Sequence, residues 1–151
     1  MQNGPSKFWC NWLTFVIIGI ALFSMMLLVL PGVTHEFFNW IAFFGHQPSA
    51  LNAPEVVGYL SFVYGIIGAV MLGWSLVFLY VVRKPFQAGE RWAWYALAVP
   101  FTVWFIADSL HSVVSGFWPN AVFNMGFFVL FGIPLLATYT KFKVDETKAI
   151  S

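Results

Sequence analysis

The chain has 151 residues, of which 60% are hydrophobic and only 9% charged, against about 25% charged in a soluble domain. That shortfall, with a mean hydropathy of +0.80, excludes a water-soluble globular protein and points to one integral-membrane domain over residues 1–151. The seven Lys and Arg are scattered over separate loops and tails, so no basic patch offers itself to nucleic acid. The single cysteine, Cys10, excludes an intrachain disulfide, a redox pair and a cysteine-based zinc site.

After a short polar lead with Gly4 and Pro5, an apolar run over 8–30 reads as the first span and is closed by Pro31-Gly32. Its core from Leu13 to Leu30 outruns the ~7–15 residues of a signal-peptide apolar region, and no A-x-A-like site follows. A retained span is therefore expected. The next connection contains His35, Glu36, His46 and Glu55 but no Lys or Arg. Within it, Thr34 reads as an N-cap, and Glu36 in the first turn suits the helix dipole. Phe37, Trp40, Ile41 and Phe44 then recur on one face, which predicts an interfacial helix over 34–44.

The second span is expected over 56–82. Ser61, Gly65, Ala69 and Gly73 recur every fourth residue along it, a groove suited to packing inside the bundle or to a homodimer seam. Arg83 to Arg91 forms a polar loop, and the third span follows over 92–115 with Pro100 inside it. That proline should kink the helix about two turns before Asp108. Phe117-Trp118-Pro119-Asn120 reads as a tight turn, and the fourth span is expected over 121–140.

The expected fold is all-α: a four-helix transmembrane bundle with a short interfacial helix between spans one and two. All seven basic residues then fall on one side of the membrane. The positive-inside rule places both termini in the cytoplasm. Trp9, Trp12, Tyr80, Trp92, Trp94 and Tyr139 fit an inner aromatic belt, and Trp40, Tyr59 and Trp118 an outer one.

Asp108 and His111 are the ionisable pair within the third span. Three residues apart, they share a helix face and can touch, and an ionisable group in a span marks either a functional site or a paired structural one. At ~1.5 Å per residue, Asp108 lies roughly 12 Å below the outer end near Gly116 and His111 roughly 7 Å. Asn124 enters the fourth span at a similar depth, and Glu55 sits at the outer start of the second. Phe101, Trp104 and Phe105 flank Asp108, giving a candidate outer-leaflet cup for a flat apolar ligand of the quinone, sterol or pigment class.

Two readings stay open at this point. Asp108 could only fix helix register through hydrogen bonds to His111, Ser112 or Asn124. Alternatively, the cup binds a ligand, or Asp108 and His111 handle protons as candidate catalytic groups. The three histidines lack metal-ligand spacing, only one of them lies in a span where haem would need two, and no hydrolase, zincin, P-loop or dinucleotide motif occurs. No metal site is expected, and the sequence names no cofactor.

The stretch Gly89-Glu90-Arg91-Trp92-Ala93-Trp94-Tyr95, with Trp118-Pro119-Asn120 and Asn124, resembles segments of small four-helix bacterial integral-membrane proteins whose activity is unassigned. The resemblance covers the second half of the chain and implies the fold and a bacterial cytoplasmic membrane. Length and span count are also similar to the eicosanoid and glutathione-metabolism membrane enzymes, but their charged glutathione-binding pattern is absent. Membrane sterol isomerases share the four-span plan with buried acids, and Asp108 with His111 does not reproduce their motif. The functional expectation is a non-catalytic accessory subunit or apolar-ligand binder in the lipid bilayer, alone, as a homo-oligomer or in a larger complex. The alternative is a small membrane enzyme or proton-coupled carrier.

Overall fold

In hydrocarbon a backbone has no water to bond to, so long apolar runs satisfy their N–H and C=O groups by coiling into helices. The structure, a computed structural model, describes residues 4–142 and contains only helices and their connections among them. Helix α1 spans Lys7–Val29, α2 Pro31–Phe43, α3 Pro54–Val81, α4 Arg91–Val114 and α5 Trp118–Phe142. All but α2 are long and apolar enough to cross a membrane, α3 together with the turn that continues it to Phe86. The fold is therefore the four-span bundle with a short helix between spans one and two. Lys143 and Lys148, which contribute to the expected charge asymmetry, lie outside the described residues.

The spans form two extensive pairs, α1 along α3 and α4 along α5. α1 joins the pairs through a smaller contact with α5, while α3 and α4 meet only sparsely. The α1–α3 contact is set by Gly68. A Cβ there would fall 2.7 Å from the Ser24 carbonyl oxygen and 2.9 Å from the Leu28 nitrogen. The expected groove of Ser61, Gly65, Ala69 and Gly73 does not make this contact. A Cβ at Gly65 or Gly73 meets nothing, and Ala69 is exposed. The packing glycine lies one face away, where Ser24 and Leu27 close onto it.

Local chemistry also moves the ends of the predicted elements. Pro31 occupies the first turn of α2, where its missing N–H costs nothing, so that helix begins before Thr34. Thr34 is thus not an N-cap; its hydroxyl donates to the Met26 carbonyl of α1 at 3.1 Å. Glu36 consequently falls beyond the first turn and is exposed. The buried side of α2 is mostly polar, with Thr34, His35 and Asn39 facing inward beside Ile41, whereas Trp40 is 65% exposed. Phe37 meets Phe23 of α1 and Phe123 of α5, and Phe38 stacks on Tyr64 of α3, so α2 caps one end of the bundle.

At the opposite end, the expected loop from Arg83 begins instead as a π-helical turn, Val82–Phe86, that continues α3. Pro85 withholds one backbone donor there, and burial of Val82, Pro85 and Phe86 holds the turn in place. Phe86 lies 4.9 Å, centroid to centroid, from Phe142 at the end of α5. Gly4 rests against Gln87 and Gly89, leaving no room for a side chain. Lys7, Arg83, Lys84, Arg91 and Lys141 therefore share this end.

Two tryptophans bond across the bundle. Trp12 of α1 donates its indole N–H to the Leu130 carbonyl of α5 at 2.9 Å. Proline at position 134 removes the N–H that would otherwise reach that oxygen. Trp94 of α4 donates in the same way to the Leu135 carbonyl at 2.8 Å.

Candidate functional site

The sparse contact between α3 and α4 leaves a partly open cavity of about 210 Å³ in the middle of the bundle. Its body is apolar and aromatic: Ile20 and Phe23 from α1, Phe38 from α2, Met71 and Trp74 from α3, Phe101 and Trp104 from α4, and Phe123 and Phe127 from α5. Trp74 and Trp104 meet edge-on with centroids 6.4 Å apart, which bridges α3 to α4 beside the void. Phe101, only 3% exposed, stacks on Phe131 at 4.1 Å and so presents a fixed wall.

Polar groups enter this wall from α4 and α5. Asp108, Asn120 and Asn124 all line the cavity. Asn124 donates from Nδ2 to Asp108 Oδ2 at 2.7 Å and to the Ser109 hydroxyl at 3.4 Å. Asn120 donates from Nδ2 to the same carboxyl oxygen at 3.4 Å and to the Ser112 hydroxyl at 2.9 Å. Ser112 in turn donates to the Asp108 backbone carbonyl at 2.7 Å. Both amide NH₂ groups are thereby saturated, and their convergence on Oδ2 fixes the carboxyl group in one orientation. Oδ1 accepts nothing among the described residues and stays accessible.

His111 does not join this network. It is exposed and makes no side-chain hydrogen bond or ion pair among the described residues. The α4 face that meets α5 runs through Phe101, Phe105, Asp108 and Ser112. At about 100° per residue His111 stands roughly 60° away from Asp108, off the face that meets α5. The paired asparagines of α5 take the position that the expected contact assigned to the imidazole. Phe105 stacks on Phe128 at 4.1 Å and serves the α4–α5 seam rather than the cavity. Glu55 is exposed in the first turn of α3 and stays outside the site.

No protein-family model, curated protein or solved structure matches the chain. Its site is therefore read from its own geometry.

Asn120 is the site residue that sequence reasoning missed. The Trp-Pro-Asn string reads as a turn, yet Pro119 in the first turn of α5 starts the helix early and carries Asn120 into it. The available signal was the four-residue spacing of Asn120 and Asn124, which places both on one helix face once a helix is allowed there. His35 is a second surprise. Its Nε2 lies 2.9 Å from Asn39 Nδ2, while its Nδ1 is buried without a partner. Among the described residues, no three His, Cys, Asp or Glu side chains gather into a group that could hold a metal.

Proposed function

We propose that this protein binds a small, largely apolar molecule between its spans, as a binding protein or the accessory subunit of a membrane complex. The observation that carries the reading is an aromatic cavity of about 210 Å³ lined by Asp108, whose carboxyl is oriented by Asn120 and Asn124. Purely structural polar groups between membrane helices bond to one another; here one carboxyl oxygen of a cavity-lining acid accepts no hydrogen bond among the described residues. Asp108 makes no hydrogen bond or ion pair with a titratable side chain among the described residues, which favours binding over acid–base chemistry with His111. The asparagines fix the head-group end of the site, and Phe101, Trp104, Trp74 and Phe123 surround the apolar body of the guest.

In this reading both chain termini and the 83–91 connection lie in the cytoplasm of a cell with its multi-pass proteins in the inner membrane. The gathering of Lys7, Arg83, Lys84, Arg91 and Lys141 at one end of the bundle supports that orientation. The site then opens toward the outer leaflet, beneath α2.

Native mass spectrometry on protein released from mild detergent tests the reading. The native chain should carry a small-molecule adduct. Ser75→Phe, which projects a ring from α3 into the cavity, should lose that adduct. A native chain without an adduct, or an adduct unchanged in Ser75→Phe, would remove the cavity from consideration.

A further inference from the structure

The cavity holds one acid and no base. Asp108 lines it, and no Lys, Arg or His does so. The described Lys and Arg sit at the far end of the bundle: Arg91 on the same helix is 17 residues from Asp108, about 26 Å at ~1.5 Å per residue, and His111, three residues away, makes no hydrogen bond or ion pair with it. Asn120 and Asn124 contribute only neutral dipoles, and both act on Oδ2. Oδ1 accepts no hydrogen bond among the described residues, and an acid lining a cavity between membrane spans is costly unless something pairs with it.

The geometry points to a ligand with a protonated amine head, an ammonium carried on a compact apolar body of about one ring. This rests on the binding reading above and specifies the chemistry of its guest. The ammonium donates to Asp108 Oδ1 in a charge-assisted hydrogen bond, stronger than one from a neutral hydroxyl. Trp74, Trp104 and Phe123 line the same cavity, and an aromatic face attracts a cation and tolerates its partial desolvation. The size follows from volume: about 210 Å³ is somewhat more than the roughly 150 Å³ engineered cavity that accepts benzene. A fused sterol skeleton is too large for the enclosed part.

Three probes of equal bulk test the head group on the purified full chain in uncharged detergent: 2-phenylethylammonium, 2-phenylethanol and propylbenzene. Equilibrium dialysis against the Ser75→Phe variant subtracts partition into micelles. The ammonium should bind about tenfold tighter than the alcohol, the ratio expected when a charged donor replaces a neutral one. Asp108→Asn keeps the shape of the side chain and removes its charge, and there the ratio should fall to about one; a circular-dichroism melt verifies that the variant is folded. Equal affinity of ammonium and alcohol in the native chain overturns the ammonium assignment and leaves an apolar site standing. Binding of none of the three above the Ser75→Phe control overturns both. The native-chain comparison decides the matter even if Asp108→Asn does not fold.

Discussion

Trp12→Phe isolates one bond on which the α1–α5 contact depends. The substitution keeps an aromatic ring and removes the indole N–H that reaches the Leu130 carbonyl at 2.9 Å. An ordinary helical carbonyl would fall back on its own backbone donor, but here that donor would belong to position 134, which is proline. Hydrogen bonds between membrane helices average about 0.6 kcal/mol, with a maximum near 1.7, whereas a polar group left without any partner costs about 1–3 kcal/mol. With no backbone substitute, the cost should sit at the overlap, about 1.5 kcal/mol. Reversible unfolding in mixed micelles measures it, and a double-mutant cycle identifies its origin. Pro134→Ala restores an N–H to Leu130, so Trp12→Phe in that background should cost about 1 kcal/mol less. Equal costs in both backgrounds would show that the indole contributes packing alone, and the account of the proline would fall.

Gly68→Ala should destabilise the chain by about 1–3 kcal/mol in a thermal melt, because its Cβ meets the fixed backbone of Ser24 and Leu28. Gly65→Ala and Gly73→Ala, with open space around them, should stay within about 0.5 kcal/mol of the native chain. Asp108→Ala leaves the Asn120 and Asn124 donors without their shared acceptor and should cost about 1–3 kcal/mol; His111→Ala should cost under about 0.5, and the two should add. A measurable Asp108–His111 coupling would contradict the observed geometry. Asn39→Leu strands both nitrogens of buried His35, so the double variant His35→Leu/Asn39→Leu should melt higher than Asn39→Leu alone. Reporter fusions after Lys84 should read cytoplasmic and one near Gln47 external; the reverse would invert the proposed orientation.

The spans were legible because their length and apolar content leave a helix as the only solution in hydrocarbon. Asp108 and Asn124 stood out for the same reason, as polar residues inside such helices. Which face of each helix meets which neighbour was not legible. In water the inner and outer faces of a helix differ in polarity, but a membrane helix is apolar on both sides, so that contrast vanishes. Hence the four-residue stripe through Gly65 and Gly73 looked like the seam while Gly68 makes it, and spacing alone assigned His111 to Asp108. Spacing within one helix shows which residues can touch. It does not show that Asn120 and Asn124 on the next helix reach the carboxyl first. The ends of α2 and α5 were misplaced because proline in a first turn reads as a break in sequence and acts as a start in structure.

The thin seam between α3 and α4 has a consequence for how affinity at this site must be expressed. In the binding reading proposed above, a guest that enters through this seam arrives from the acyl chains, a phase in which apolar solutes are already concentrated. Its occupancy follows its mole fraction in the bilayer, and a dissociation constant referred to the aqueous phase folds the partition coefficient into the site's own selectivity. Two molecules that fit equally well would then differ in apparent strength by the ratio of their solubilities in lipid. Changing the lipid-to-protein ratio at fixed total ligand would shift the half-saturation point without altering a single contact in the protein.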